Sequence, residues 1–406
     1  MDALTTPLNW QRVRLGDIAE IIGGGTPSTQ ITSFWNGSIN WFTPTEIGIT
    51  KYVYKSQRTI TLLGLKKSSA KLLPIGTILL TSRASIGDCA ILKVVATTNQ
   101  GFQSLIPLEK INNEFLYYLI LTLKNKLLEL ASGSTFLEVS PNKIKNLLIP
   151  LPPLNEQIAI ANILSDVDRY LYSLDALILK KESVKKALSF ELLSQRKRLK
   201  GFNQTWQKVR LGDIGITISG LVGKTKQDFI NGNAKYITFL NVLNNVIIDT
   251  SILENVKIYP NEKQNSFKKY DLFFNTSSET PKEVGMCAVL LDDIDQVFLN
   301  SFCFGFRIFD KAVDGLFLSY LINSEIGRKA FENLAQGSTR YNLSKSGFNN
   351  VCLFLPPLDE QIAIANILSD LDHEIISLKN KKRQFENIKK ALNHDLMSAK
   401  IRVLKK

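Results

Sequence analysis

The residues that most often carry out catalysis are scarce in this chain. Its two histidines, His373 and His394, lie near the C-terminus, so neither globular part offers a histidine to a catalytic triad or a zinc site. The cysteines are scattered without a CxxC pair, which favours reduced, mostly buried thiols over a disulfide framework or a metal site: Cys89, Cys287, Cys303 and Cys352. We therefore expect no catalytic residue and no metal site.

Two glycine-rich segments have the composition of loops that approach phosphate groups. Residues 220–225 end in Gly-Lys-Thr, as a phosphate-binding loop does, but Ile218 stands where that motif needs its first glycine. Residues 22–27 occupy the matching place in the first half of the chain. Tight or flexible turns are the simpler interpretation of both segments. The alternatives are nucleotide binding at 220–225, or an approach of both loops to a phosphate backbone.

Composition and charge narrow the class of protein. The chain has 406 residues, of which 44% are hydrophobic, enough for the cores of two or three domains. We expect no transmembrane helix, no secretory signal and hence a cytoplasmic protein that does not contact a membrane. The net charge of +13 makes nucleic acid the leading partner class, and a soluble basic protein without such a partner is the alternative. The excess is concentrated in residues 180–200, with 8 basic and 2 acidic groups, and 379–406, with 10 and 2.

The chain contains an internal duplication. Two blocks recur about 200 residues further on: 10–18 as 206–214 with 8 of 9 positions identical, and 151–168 as 355–372 with 16 of 18 identical. The segments between these blocks, 19–130 and 215–334, are far less alike. Each half therefore consists of a variable part followed by a repeated part.

The second repeated block begins a long helix in each copy. Its two prolines suit a helix start, and Glu156 and Glu360 suit the positive end of the helix dipole. No proline or glycine follows before Gly201, so the first helix is predicted over 154–199. Apolar residues then recur at spacings of four and three, which indicates a coiled-coil seam: Ile160, Leu164, Val167, Leu171, Leu174, Ile178, and Ile364, Leu368, Leu371, Ile375, Leu378.

A narrow seam on a helix this long needs a partner helix of similar length. The other copy is the obvious candidate, so we expect the two helices to pair antiparallel, with the globular parts at opposite ends of a stiff rod. Lys181, Lys185 and Lys382 interrupt the seam. Packing of each helix on its own globular half is the alternative, and it would leave several turns of the seam exposed.

The variable parts are predicted to be mixed domains of short strands and helices. Strands are expected at 76–82, 89–95, 271–277 and 285–291, and closing amphipathic helices near 114–130 and 315–334. The predicted fold class is α/β (α+β). The predicted domains are 1–150 and 201–354 as the two mixed domains, with 151–200 and 355–406 as the long helices.

The duplicated Leu-Pro-Pro-Leu-x-Glu-Gln-x-x-Ile helix, following a domain that opens with Trp-x-x-Val-x-Leu-Gly-Asp-Ile, resembles the specificity subunit of type I restriction-modification systems. The resemblance covers nearly the whole chain. It implies that the variable parts are target recognition domains, each reading one half of an asymmetric bipartite DNA target. It also implies that the helices are spacer regions and that the chain has no catalytic site of its own.

The same resemblance implies partners and their cofactors. Two modification (methyltransferase) subunits would dock on the helices and bring S-adenosylmethionine and an adenine-N6 methyltransferase site. Restriction subunits would add ATP-driven translocation and magnesium-dependent cleavage. This chain would bind none of these cofactors, and its direct ligand would be double-stranded DNA.

Base reading requires polar side chains in loops beside the strands, where they meet base edges. In the first domain the candidates are Thr43, Thr45, Glu46, Ser82, Arg83, Asn99, Gln100, Ser134 and Thr135. In the second domain they are Phe239, Asn241, Thr276, Ser277, Asn300, Ser301, Ser338, Thr339 and Arg340. Turn formation and strand-end capping explain any single one of these residues at least as well.

Two other classes of function stay open at this point. A structural adaptor built on the coiled coil would bind DNA without regard to sequence and with a shallow dependence on salt. An enzyme of unrecognised type, such as a nuclease, would need a matched acidic or histidine cluster, and the sequence offers none.

Overall fold

The structure, a computed structural model, describes residues 9–133, 137–332, 334–337 and 339–403. The chain divides into two compact units, Met1–Asp175 with Asn380–Lys406, and Ala176–Lys379. Each unit contains one variable domain together with part of both long helices. The segments at the two ends of the chain therefore belong to the same unit.

The first half begins with a mixed domain and ends with a long helix. Its strands are β1 (Gln11–Arg14), β2 (Ala19–Gly23), β3 (Trp35–Phe42), β4 (Tyr52–Val53), β5 (Arg58–Ile60), β6 (Ile78–Leu80), β7 (Cys89–Leu92), β8 (Ala96–Thr98), β9 (Gln103–Pro107) and β10 (Leu148–Leu151). Its helices are α1 (Leu62–Lys66), α2 (Asn113–Thr122), α3 (Lys124–Leu130), α4 (Pro141–Lys145) and α5 (Leu154–Leu193), with 3₁₀ turns at Leu15–Asp17, Thr32–Phe34 and Pro44–Glu46. The main sheet has the order β2-β9-β6-β7-β4, a second sheet has the order β5-β3-β8, and β1 pairs with β10.

The second half repeats this plan. Its strands are β11 (Gln207–Arg210), β12 (Gly215–Ser219), β13 (Ala234–Ile237), β14 (Glu254–Val256), β15 (Leu272–Asn275), β16 (Ser277–Ser278), β17 (Cys287–Val289), β18 (Val297–Leu299), β19 (Cys303–Ile308), β20 (Tyr341–Asn342) and β21 (Cys352–Leu355). Its helices are α6 (Leu211–Ile214), α7 (Phe239–Asn244), α8 (Gly315–Asn323), α9 (Glu325–Glu332), α10 (Lys345–Asn349) and α11 (Leu358–Met397), with 3₁₀ turns at Lys226–Phe229, Thr250–Ile252 and Pro281–Glu283. The sheets have the orders β12-β19-β15-β17, β14-β13-β18, β11-β21 and β16-β20.

The two variable domains share one topology although their sequences differ. Four strands of each main sheet correspond in order. In each second sheet the central strand has one antiparallel and one parallel neighbour. The predicted class, two tandem mixed domains produced by internal duplication, is confirmed.

The core of each variable domain is built from different side chains. In the second domain it is rich in phenylalanine, and the ring of Phe348 lies 4.7 Å from that of Phe274 and 4.9 Å from that of Phe304. In the first domain, aliphatic residues and the buried rings of Phe115 and Tyr118 fill the corresponding core. Because cores accept different side chains of similar total volume, one fold accommodates two dissimilar sequences.

Several predicted boundaries differ from the structure. The helices expected near 114–130 and 315–334 are each broken in two, and the hydroxyl of Ser324 caps the second piece by accepting from the Gly327 amide at 3.3 Å. The repeated Leu-Gly-Asp segment forms a helical turn in both copies, directly after β1 in the first and after β11 in the second. The predicted strands are present but shorter.

The long helices α5 and α11 have 40 residues each, about 60 Å of helix. The first ends at Leu193, so the predicted end at Leu199 is wrong. Gln195 and the matching Ala399 adopt positive φ angles of 62° and 57°, and turn the chain out of each helix. Glycine usually marks such a turn, and its absence from both positions explains the overlong prediction.

The two long helices pair antiparallel, as expected. Asp168 on α5 accepts from Lys389 on α11 at 2.5 Å, and in the other unit the duplicated pair, Asp372 and Lys185, meets at the same distance. Further pairs across the two helices are Asp175 with Lys382 at 2.6 Å, Glu182 with Lys379 at 2.6 Å, and Glu374 with Lys181 at 2.8 Å. The lysines that interrupt the seam therefore form ion pairs between the helices.

The seam residues are buried or half-buried along both helices. Ile160, Leu164, Leu174, Ile178, Ile364, Leu368 and Ile375 are buried, and Val167, Leu171, Leu371 and Leu378 are half-buried. Ile160 and Leu164 also join the core of the first domain, as Ile364 and Leu368 join that of the second. The helices thus pack both on each other and on their own domains.

A repeated buried glutamate fixes the start of each long helix. Glu156 accepts from the Trp10 indole at 3.1 Å and from Arg402 at 2.8 Å. Glu360, in the second copy, is fully buried and accepts from Arg198 through both oxygens at 2.6 Å, which raises the pKa of that guanidinium. Each arginine follows the long helix of the other copy, so these contacts tie the end of one helix to the start of the other.

A tyrosine anchors each domain to its helix. The hydroxyl of Tyr118 donates to Asp168 at 2.5 Å, and that of Tyr320 donates to Asp372 at 2.7 Å. Burial, together with the neighbouring carboxylate, raises the pKa of both tyrosines. Since each of these aspartates also binds a lysine on the other long helix, each forms a three-way junction that fixes a domain on the helix pair.

The cysteines offer a direct check of this packing. Burial raises the pKa of the Cys89, Cys287 and Cys303 thiols, whereas Cys352 is exposed. A thiol-alkylating reagent is therefore expected to modify only Cys352 in the native protein, and all four cysteines after denaturation. Mass spectrometry of the digested protein measures this. Rapid native labelling of a second cysteine would contradict the described cores.

No helix in the described part of the chain is long and apolar enough to cross a membrane.

Candidate nucleic-acid interface

Three loops of the first domain that carry predicted DNA contacts lie side by side, and Val139 lies next to one of them. The amide of Asn99 donates to the carbonyl of Phe42, which precedes the Thr43–Glu46 loop, at 3.0 Å. The amide of Ser82 donates to Gly101, two residues after Asn99, at 2.8 Å. The amide of Val139 in turn donates to Ser82 at 3.1 Å. These backbone hydrogen bonds join the loops into one continuous surface, which we call the loop edge.

The second domain has an equivalent loop edge. The amide of Asn300 donates to Ile237, before the Thr238–Asn241 turn, at 3.0 Å. The amide of Thr276 donates to Phe302 at 2.9 Å, and that of Leu343 to Thr276 at 2.8 Å. The backbone framework is therefore the same in both domains, while the side chains on it differ.

Several predicted contact residues shape the loops. Thr43 and Glu46 form a capping box, in which the Thr43 amide and hydroxyl both donate to Glu46 at 2.8 Å. The Asn99 side chain accepts from the Gly101 amide at 2.9 Å, and the Asn300 side chain accepts from the Phe302 amide at 2.9 Å. These groups make the turns that the sequence left as an alternative to DNA contact.

The predicted residues differ in their access to solvent. Thr45, Gln100, Ser301, Thr339 and Arg340 are exposed, and Thr43, Glu46, Arg83, Asn99, Phe239, Thr276 and Asn300 are half-buried. Ser82, Asn241 and Ser277 are buried, and the Asn241 side chain is bonded to the backbone of Asp249, so in this conformation these three side chains face the interior. Ser134, Thr135 and Ser338 lie outside the described residues.

Both candidate arginines have neighbours at the loop edge. Arg83 bonds Glu138 at 2.8 Å, and its side chain keeps 42% of its surface exposed. The guanidinium of Arg340 lies 5.4 Å from the centre of the Phe302 ring, within the range of a cation–π contact. Arginine can donate two hydrogen bonds at once, either to O6 and N7 of guanine or to two phosphate oxygens, so both edges present a group suited to DNA.

The glycine-rich segments serve close packing within each domain. A side chain at Gly24 would place its Cβ 1.8 Å from the carbonyl oxygen of Asn99, and one at Gly220 would lie 2.3 Å from that of Asn300. The lysine of the Gly-Lys-Thr sequence, Lys224, bonds Glu262 at 2.5 Å and the carbonyl of Lys257 at 2.6 Å. Gly24 and Gly220 are therefore required, because the chain passes against the loop edge too closely for a side chain. Lys224 forms an ion pair with Glu262 of its own domain.

Part of the positive charge serves the helix pair. Five lysines of the two basic segments form ion pairs with carboxylates on the other helix: Lys181, Lys185, Lys379, Lys382 and Lys389.

Among the described residues, no group of three or more His, Cys, Asp or Glu side chains is placed to hold a metal ion. The site that the geometry supports is a polar loop edge, repeated once in each domain.

A comparison with protein families identifies the duplicated unit. The profile of the type I restriction modification DNA specificity domain matches residues 7–181 and 203–387, one match for each copy. The chain belongs to this family of type I specificity subunits.

Curated relatives and a solved structure agree with this membership. The subunit is 32% identical over 298 residues to the MjaIX specificity subunit of Methanocaldococcus jannaschii, covering 68% of each chain. It is 27% identical over 423 aligned residues to the MjaVIII specificity subunit of the same organism, covering 99% of this chain and 95% of the relative. The S subunit from M. genitalium has the same fold, with a TM-score of 0.60 and 17% identity over 97% of both chains.

Sequence reasoning missed two features of this specificity subunit. The first is the junction of Tyr118, Asp168 and Lys389. The sequence carried a signal for it, because Asp168 and Lys389 both lie in segments that occur in both copies. The exposed ring of Phe302 carried no signal, since nothing in the sequence distinguishes it from a core phenylalanine.

Proposed function

We propose that this chain is the non-catalytic, sequence-reading subunit of a cytoplasmic DNA methyltransferase and restriction complex, and that each recognition domain reads one half of an asymmetric bipartite target. The observation that carries the proposal is the loop edge, built on the same backbone hydrogen bonds in both domains but bearing different side chains. Two equal frameworks with unequal side chains suit two half-sites of different sequence.

The paired helices supply the spacing in this proposal. Both are continuous over 40 residues, and the ion pairs and buried seam fix their register. Because rigidly linked modules read half-sites at a fixed separation, the nonspecific gap in the target follows from these helices. Tyr118 and Tyr320 then hold each domain at a constant orientation on its helix.

The helices also offer two matched docking surfaces. In one unit Ile158, Tyr172 and Ile388 are exposed, and in the other the duplicated positions Ile362, Ile376 and Val184 are exposed as well. Tyr172 lies two heptads after Ile158, on the side of the helix away from the seam. Repetition of one apolar set in both units suits two copies of one partner, which we take to be the modification subunits. These would carry S-adenosylmethionine, with ATP and magnesium belonging to restriction subunits.

The docking surfaces can be tested by paired substitutions. Tyr172→Glu combined with Ile376→Glu is expected to weaken association with the modification subunit at least tenfold, because it buries charge in an apolar contact. Ser173→Glu with Ser377→Glu adds the same charges one residue further along each helix and serves as the control. Quantitative co-purification measures both variants. Equal binding by both would show that the partner docks elsewhere.

DNA reading itself can be tested by selection from random DNA. The complex of this chain with its modification subunits is expected to enrich one split sequence with a fixed gap. Enrichment of a continuous sequence, or of none, would reject the proposal. Sequence-independent binding with a shallow salt dependence would favour the adaptor alternative.

A further inference from the structure

One aromatic side chain on the loop edge of the second domain has no counterpart in the first. Phe302 keeps 53% of its surface exposed, whereas phenylalanine is ordinarily buried. The equivalent position in the first domain is Gly101. The amide of Gly101 and the amide of Phe302 each donate to the side chain of the asparagine two residues earlier, at 2.9 Å. Both carbonyls also accept the amide of the neighbouring loop, from Ser82 in one domain and Thr276 in the other.

The backbone that carries Phe302 is held on both sides. Besides the bond from its amide to Asn300, its carbonyl oxygen accepts from the amide of Thr276 at 2.9 Å and from the Thr276 hydroxyl at 2.8 Å. The guanidinium of Arg340 lies 5.4 Å from the ring centre. A single exposed apolar residue needs no explanation by itself. This one is fixed in place among exposed polar groups, between Ser301 and Arg340.

We propose that Phe302 is a specificity-determining residue of the second half-site, and that it contacts the C5 methyl group of a thymine in the major groove. The inference rests on the proposed function. Thymine alone of the four bases presents a methyl group there, and an apolar side chain is the group that recognises it. Gly101 has no side chain to make this contact, so the equivalent position of the first domain reads no methyl group.

Replacing thymine by uracil in the target removes that methyl group and nothing else. Binding is measured for the complex of the full chain with its modification subunits, on targets in which each thymine is replaced in turn. At one thymine of the second half-site, uracil is expected to weaken wild-type binding about fourfold, the effect of one methyl-sized group leaving an apolar contact. In Phe302→Gly, which copies the loop of the first domain, this loss is expected to disappear.

Two controls separate the contact from other effects. Phe302→Leu keeps an apolar side chain and is expected to retain a uracil penalty at the same thymine. Substitutions in the first half-site are expected to weaken binding by wild type and by Phe302→Gly equally, which shows that the variant complex is intact.

The outcomes distinguish this inference from the function on which it rests. If the complex binds a bipartite target but uracil has the same effect on wild type and Phe302→Gly at every thymine, the inference is overturned and the proposed function stands. A second outcome is that the fluorescence of 2-aminopurine in the second half-site increases only with wild-type protein, while no uracil penalty depends on Phe302. The ring then enters the base stack, and methyl recognition is overturned. If no bipartite target is bound, both fail.

Discussion

Replacing Arg198 by methionine is expected to lower the unfolding free energy of the second unit by about 3–5 kcal/mol. Glu360 is fully buried, and both of its carboxylate oxygens accept from Arg198 at 2.6 Å. Methionine keeps much of the volume but leaves a buried carboxylate without a charged partner. Chemical denaturation of the full chain, followed by circular dichroism, measures the loss.

The duplication supplies a matched control for this experiment. Arg402→Met removes the equivalent partner of Glu156, but that carboxylate keeps the indole of Trp10 as a donor at 3.1 Å. The second copy lacks this support, because the indole nitrogen of Trp206 has no partner among the described residues. Arg402→Met should therefore cost less than Arg198→Met. Adding Glu360→Gln to Arg198→Met removes the unpaired charge and should recover part of the loss. Equal, small losses in both arginine variants would contradict the assignment.

Exchanging residues 15–147 for the same segment of a relative with another specificity is expected to change one half of the DNA target and leave the other half and the gap unchanged. The junctions fall between β1 and β10, so this strand pair and the long helices stay intact. All loops of the first loop edge move together, and so does Val139 beside them. The donor segment must retain the tyrosine at position 118, because it anchors the domain to Asp168.

The outcome of the exchange is read from the DNA sequence methylated by the chimeric complex. A changed gap would show that the domain, and not the helix pair, sets the spacing. Changes in both half-sites would contradict the assignment of one half-site to each domain.

The long helices were predictable because their signals are local or repeated. The prolines at the helix start, the apolar seam and the near-identity of the two copies each point to the same pair of helices. Their C-terminal ends were not predictable, because Gln195 and Ala399 adopt positive φ angles, a backbone conformation that glycine normally adopts at the end of a helix.

The loop edges were predictable as regions but not residue by residue. The loops carry the expected polar residues and lie together, which follows from the strand order. Whether a given side chain faces solvent depends on tertiary contacts that cannot be read from the sequence. Asn241 is buried and bonds the backbone of Asp249, whereas Thr45 is exposed beside the capping box that Thr43 and Glu46 form. The ion pairs of Lys185 and Lys389 likewise depend on the register of two helices distant in sequence.

The most direct test of the account is the set of adenines methylated in DNA by the complex that contains this chain. Sequencing of modified bases is expected to give one asymmetric motif in two parts, separated by a gap of constant length in which any base is accepted. A continuous motif, a gap of varying length, or two identical half-sites would contradict the account, because the proposal assigns a different half-site to each loop edge and a constant gap to the helices.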